Sequence, residues 1–221
     1  MIDKRVETIS DAVAGIADGA VILSSGFGDA GAPIELLEAI AKTNVSNLTI
    51  VSNNAGEGDY GLAALMKTGK VSRIICSYPI SAGSIVFQGL YNTGKIQLEV
   101  VPQGTLSERM RAAGAGIGAF FTPTSANTKL GEGKESRIIN DKEYVLEYPL
   151  KGDIALILAK QADRLGNVIY DKSARNFSPI MAMAATNTIV QVEEIVELGD
   201  MDPELIMTPG IFVDRVFVHT L

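Results

Sequence analysis

The sequence has no tryptophan, one cysteine and one histidine, and aromatic residues make up only 6% of its 221 positions. So few rings cannot build a row of stacking platforms, so recognition of nucleic acid is not expected. The lone Cys76 excludes an internal disulfide. Set in the apolar run Ile74-Ile75-Cys76, it reads as a buried strand thiol. With His219 the sole histidine, a metal site would rest almost entirely on carboxylates, and a Ser-His triad would need a residue two places from the C-terminus. Neither is expected. Positive charge is also short: 19 Lys and Arg against 26 Asp and Glu leave a net charge of −7. A net anion draws neither nucleic acid nor acidic lipid through its overall field. The longest stretch without charge, residues 74–94, carries Pro79 and Gly83 and will not span a bilayer. Met1-Ile2-Asp3-Lys4-Arg5 has no apolar core of a signal peptide, so a cytoplasmic protein with no membrane partner is expected.

What is present is a globular composition, 47% hydrophobic and 20% charged. A chain of this mass buries about 70% of its extended surface, enough for a full core without staples. No repeat, linker or low-complexity tract interrupts it, so residues 1–221 are expected to form one domain. Apolar runs alternate with helical patterns. Ala20–Leu23, Leu48–Val51, Val71–Cys76 and Ile96–Val101 read as strands. Ile34, Leu37 and Ile40 recur at helical spacing after Pro33, and Leu62–Lys67 and Leu106–Ala113 read as further helices. Strands that read as continuous apolar runs are buried on both faces. Beyond Gly131, Arg137-Ile138-Ile139 and Tyr144-Val145-Leu146 flank the turn Asn140–Glu143 and predict a hairpin. Asp153–Leu158 and Thr188–Val192 return to core strands around a buried helix at Met181–Ala185, and a last strand is expected over Ile211–Val218. The expected class is α/β: a mostly parallel open sheet with crossover helices and a small antiparallel hairpin.

In such sheets ligands bind beyond the carboxyl ends of the strands. Three expected loops fall there. Ser24–Gly31 carries Gly26, Gly28 and Gly31 before a helix N-terminus, so its N–H groups can hold an anion without a cationic side chain. It is no P-loop, because no Gly-Lys-Ser/Thr follows. Ser52-Asn53-Asn54 and Pro102-Gln103-Gly104-Thr105 supply neutral amides, donors suited to a carboxylate or thioester carbonyl. Each pattern also fits a plain structural turn. No nucleophile stands out. Glu57 is the nearest candidate, and a solvated loop carboxylate is the simpler reading of it. A half-built site of this kind suggests completion by another chain.

The blocks Asp18–Pro33, Leu48–Gly56, Val101–Leu106, Gly114–Ile117, Phe121–Thr124, Glu132–Glu135, Ala174–Phe177 and Thr208–Ile211 resemble, in order, those of A (alpha) subunits of family I 3-oxoacid CoA-transferases. The resemblance implies CoA transfer from succinyl-CoA to a 3-oxo acid, with no permanent cofactor and a CoA thioester as substrate. Blocks Asp59–Ala63 and Ile74–Pro79 point to 3-oxoadipate as that acid, with acetoacetate or another short 3-oxo acid the alternative. It implies a partner B subunit, in an A2B2 assembly, that supplies a glutamate nucleophile. Carried over, Ser25, Gly26, Phe27, Gly28, Asp29, Ala30 and Gly31 form the CoA-binding loop, and Asn53, Asn54 and Gln103 line the substrate and oxyanion pocket. No catalytic group of this chain is implied, and Glu57 matches no nucleophile motif. Two positions depart from the pattern. Ser25 and Ser125 stand where glycine is usual, and the Cβ of Ser25 is expected to narrow the approach of CoA. Sugar-phosphate isomerisation on the same fold would need a general base near cationic phosphate ligands, and no such cluster is present. An effector-binding module would need an attached DNA-binding helix pair, which the expected pattern does not supply.

Overall fold

The computed structural model describes residues 2–218; His219, and any role for the one histidine, lies outside them. The chain opens with β1 (Arg5–Val6) and α1 (Ile9–Ala12). There follow β2 (Val21–Ser24), α2 (Ile34–Ala41), β3 (Leu48–Asn54), α3 (Gly61–Lys67), β4 (Val71–Tyr78), α4 (Ile85–Asn92), β5 (Gln97–Val100) and α5 (Gln103–Gly114). Next come β6 (Phe120–Thr122), β7 (Ser136–Ile139) and β8 (Lys142–Glu147), and then β9 (Gly152–Ala162), β10 (Val168–Ile169), α6 (Ser178–Ala184), β11 (Ala185–Ile195) and β12 (Arg215–Val218).

The main sheet runs β1-β12-β11-β9-β2-β3-β4-β5, with every pair along this path parallel and β10 antiparallel to β9. From β2 the chain winds outward through β3, β4 and β5, then returns to β9 and winds the other way. Strand order therefore reverses between β2 and β9, which opens a crevice at their carboxyl ends. Successive residues of each central strand enter opposite cores, as the two-residue repeat of a strand demands. Ile22, Ile50 and Ile74 join Leu36, Leu65 and Phe87 on one face. Leu23, Val51 and Ile75 join Leu106, Met110 and Met181 on the other. This is the physical origin of the continuous apolar runs.

The expected hairpin is present and gains β6 as a third strand, in the order β6-β8-β7. Several boundaries differ from expectation. Ser52-Asn53-Asn54 is not a loop but the end of β3, held by pairing as far as Asn54↔Tyr78. Gln103 is not in a turn but opens α5. The last strand begins at Arg215, because Gly210–Phe212 folds into a 3-10 turn. Helix α4, inside the uncharged stretch 74–94, has no sequence counterpart above; only Phe87 on it is fully buried.

Candidate functional site at the carboxyl ends of the strands

The glycine loop leaves β2 at the switch point and is closed by its own polar groups. Ser25 N–H donates to Leu156 O of β9 at 3.0 Å. Ser25 Oγ donates to Gly31 O at 2.7 Å and accepts from Leu158 N–H at 3.2 Å. The serine is thus buried as the clasp of the loop. Its N–H is not available to a ligand, and its hydroxyl is turned into the loop closure. The expected narrowing at position 25 gives way to a structural role. A second clasp, Asn176, lies 150 residues away in sequence. Its Oδ1 accepts from Gly26 N–H at 3.1 Å and Phe177 N–H at 2.7 Å, and its Nδ2 donates to Ala30 O and Ala174 O, both at 2.9 Å. Asn176 holds this position at φ of 24° and ψ of −114°, a sparsely populated conformation that costs a non-glycine residue about 1–3 kcal/mol. Gly31, at φ 78°, packs so tightly that a Cβ there would collide with Ala174 O. The N–H groups of Gly28, Asp29 and Gly31 meet no acceptor among the described residues. Gly28 and Asp29 line the cavities described below, where unpaired main-chain N–H groups are chemically able to meet an anion, whereas Gly31 is buried. Asp29 itself accepts from Tyr60 OH at 2.7 Å. That bond, then burial and nearby acids, raises the Tyr60 pKa.

The amides occupy the next strand ends. Asn53 is buried, and its Oδ1 accepts from Gln103 Nε2 at 2.7 Å and from Ser77 Oγ at 2.8 Å. With the oxygen held twice, Asn53 Nδ2 remains without an acceptor among the described residues. Asn54 is engaged with its own backbone: its Oδ1 accepts from Gly56 N–H at 2.9 Å, an Asx turn at the strand exit. A cavity of about 520 Å³ brings Phe27 and Gly28 of the glycine loop together with Asn53, Asn54 and Gln103. Ser77, Tyr78 and Glu57 complete its wall. Ser25, Gly26 and Asp29 line a smaller adjoining cleft of about 40 Å³. Ala30 and Gly31 line neither and serve the loop's shape. Ser77, Tyr78 and Asn176 were not singled out from sequence. Asn176 stands in the block Ala174–Phe177, where its clasp role has no local signature. Glu57, read above as solvated, is a half-buried cavity carboxylate.

Among the described residues, no group of three or more His, Cys, Asp or Glu could hold a metal ion. Cys76 is buried on β4, and burial pushes its thiol up to about 12, so it is no nucleophile here. The site presents unpaired main-chain N–H groups and one held carboxamide, donors chemically able to meet an anion or a carbonyl oxygen.

The sequence pattern described as Coenzyme A transferase matches residues 6–219. The chain belongs to the coenzyme A transferase family. It is 57% identical to the A (alpha) subunit of the 3-oxoadipate CoA-transferase of Pseudomonas putida, over 98% of this chain and 94% of that protein. It is 42% identical to the corresponding A (alpha) subunit of the succinyl-CoA:3-ketoacid coenzyme A transferase of Helicobacter pylori strain J99, over 98% of this chain and 92% of that one. This CoA-transferase chain also has the fold of a solved acyl-CoA transferase from E. coli O157:H7 in a thioester complex with CoA. The TM-score is 0.87 at 23% identity, covering 99% of this chain and 50% of that chain. It therefore spans half the length of that solved relative. No helix among the described residues of this transferase is long and apolar enough to cross a membrane.

Proposed function

We propose that this chain, acting as one domain, is the A (alpha) subunit of a 3-oxoacid CoA-transferase that moves CoA from succinyl-CoA to a 3-oxo acid, with 3-oxoadipate as the acceptor. The reading rests on the convergence of the glycine loop, Asn53 and Gln103 on one cavity that holds no assigned nucleophile. The partner B subunit, in a cytoplasmic A2B2 assembly, brings a glutamate. Its carboxylate attacks the succinyl carbonyl and expels CoA thiolate, leaving a mixed anhydride. The thiolate then attacks the glutamyl carbonyl, releasing succinate and leaving a glutamyl-CoA thioester. The 3-oxo acid carboxylate reverses the sequence and departs as its CoA thioester. Covalent catalysis of this kind splits one hard exchange into easier steps.

This chain's residues supply the surroundings. Gly28 and Asp29 direct N–H groups at an anionic part of CoA. Asn53 Nδ2 donates to each carbonyl oxygen as it becomes a tetrahedral oxyanion, and donates no proton outright. One preorganised donor is worth about 3–4 kcal/mol in the transition state. Gln103 and Ser77 hold Asn53 in the donating orientation. Docking of the partner over the cavity keeps water from the anhydride.

The test uses this chain alone, then with its B subunit, following succinyl-CoA consumption with 3-oxoadipate and acetoacetate. Alone it is expected to give no transfer. Borohydride or hydroxylamine trapping of the thioester is expected to label the partner; a label on Glu57 would overturn the assignment. Acetoacetate is the second reading. It is favoured by the lack of any Lys or Arg among the described residues lining the cavity.

A further inference from the structure

Succinyl-CoA and 3-oxoadipate both carry a carboxylate at the end of the acyl chain remote from the reacting carbonyl. The two acyl groups occupy the cavity in turn, so the cavity must hold a distal carboxylate. Among the described residues, no lysine or arginine lines the cavity. The stretch 74–94, which supplies Ser77 and Tyr78, has no charged residue at all.

The cavity instead contains Glu57. Its Oε1 accepts from Ser81 Oγ at 2.6 Å. Ser81 is itself braced by Ser84, whose Oγ lies 3.0 Å from its own. Gly58 N–H donates to Gly83 O at 3.0 Å, so the turn that carries Glu57 is pinned to the segment opposite. Glu57 Oε2 has no hydrogen bond or ion pair among the described residues. A fixed carboxylate at this place would repel the distal carboxylate of the acyl group directly. Phe27 and Tyr78, on the same wall, are 54% and 61% exposed. An unpaired carboxylate oxygen in a cavity that exposed aromatic residues also line is the receptor chemistry of a guanidinium or ammonium group.

We infer that Glu57 is the anchor for a cationic side chain supplied by the partner subunit, which bridges Glu57 Oε2 and the distal carboxylate of the acyl group. An arginine suits the position, because its planar fork meets two carboxylates at once and stacks on an aromatic face. Glu57 is then a positioning residue for the dicarboxylate, acting through the partner's cation. The inference rests on the transferase reading above.

The experiment uses the reconstituted complex with acetoacetyl-CoA as donor, so that the donor has no distal carboxylate. The acceptor is 3-oxoadipate or isotopically labelled acetoacetate, and the quantity read is the ratio of their kcat/KM values. Glu57→Gln keeps the Ser81 bond and the volume but removes the charge. It is expected to lower the ratio of 3-oxoadipate to acetoacetate by about tenfold or more, mainly through KM for the dicarboxylate. Glu57→Asp, which keeps the charge, is expected to retain most of the wild-type ratio. An unchanged ratio in Glu57→Gln overturns the inference, and so does a rise, the result of simple repulsion between Glu57 and the substrate. A wild-type complex that transfers CoA to neither acceptor overturns the transferase reading itself. A transferring complex whose ratio ignores Glu57 overturns only the bridge.

Discussion

Gly31 and Gly28 stand three residues apart in one loop, and both have positive φ. A Cβ at Gly31 would drive into the Ala174 carbonyl, whereas one at Gly28 would meet nothing within 4 Å. Gly31→Ala is therefore expected to cost about 2–3 kcal/mol of stability, from backbone strain and a clash that no rotamer relieves. Gly28→Ala is expected to cost only about 1 kcal/mol of backbone strain, while reducing thioester handling at the cavity. Urea unfolding of both variants reads the difference, and equal losses would contradict the packing argument. Asn53 and Gln103 make a second pair. Asn53→Ala is expected to lower kcat about 100-fold or more, the usual loss of one oxyanion donor. Gln103→Ala is expected to lower kcat less and leave KM near its wild-type value, because it only releases Asn53. In the double variant the effects are expected not to add, since both act through the same donor.

At the scale of elements, the three-stranded sheet β6-β8-β7 is tied to the main body by a line of alternating charges. Glu99 of β5 accepts from Arg73 of β4 and from Arg109 of α5, the latter at 2.9 Å. Arg109 also donates to Tyr148 O at 2.9 Å and lies 4.0 Å from Glu147 of β8, which Lys134 pairs in turn. Glu147 is almost fully buried, so these pairs matter more than surface ion pairs do. Burial alone pushes the Glu99 pKa up, but Arg109 and Arg73 together outweigh it and hold it below the ordinary value of 4.5. A lowered folded pKa contributes stability above pH 4.5 that fades as pH falls through the lowered value. Arg109→Leu is expected to cost about 2 kcal/mol at pH 7, since it leaves Glu99 with Arg73 alone and Glu147 with Lys134 alone and removes the donor to Tyr148 O. Glu99→Gln is expected to flatten the decline in stability below pH 4.5. Urea unfolding at pH 7 and pH 4 checks both. Apart from the hairpin, this sheet was hard to read in the sequence. Phe120–Thr122 is short, and only the partner strand of β6 shows that it pairs.

Across the whole molecule, Cys76 reports on cooperativity. It is fully buried at the centre of β4, between β3 and β5, and its thiol is pushed up to about 12 by burial. A thiol reagent at pH 8 is expected not to label it in the native protein. Its labelling rate should instead follow the global unfolding equilibrium through a urea titration. Fast labelling without denaturant would show that the outer strands open locally.

The apolar runs and helical periodicities determined the α/β class, the parallel central strands and the hairpin, because burial on two faces writes itself directly into composition. The glycine, Asn-Asn and Gln positions marked the cavity wall, since strand ends must break the apolar pattern. Only the tertiary structure decided what each polar group does. Ser25 and Asn54 are consumed by their own loops, Asn176 closes a loop 150 residues upstream, and Gln103 aims Asn53 rather than facing the cavity alone. The physical reason is that hydrophobic burial is non-directional and sums along the chain, whereas a hydrogen bond depends on where one particular partner lies in space. The partners of Asn176, Gln103 and, through Leu158, Ser25 come from distant segments that meet only when the sheet is wound in both directions from β2 and β9.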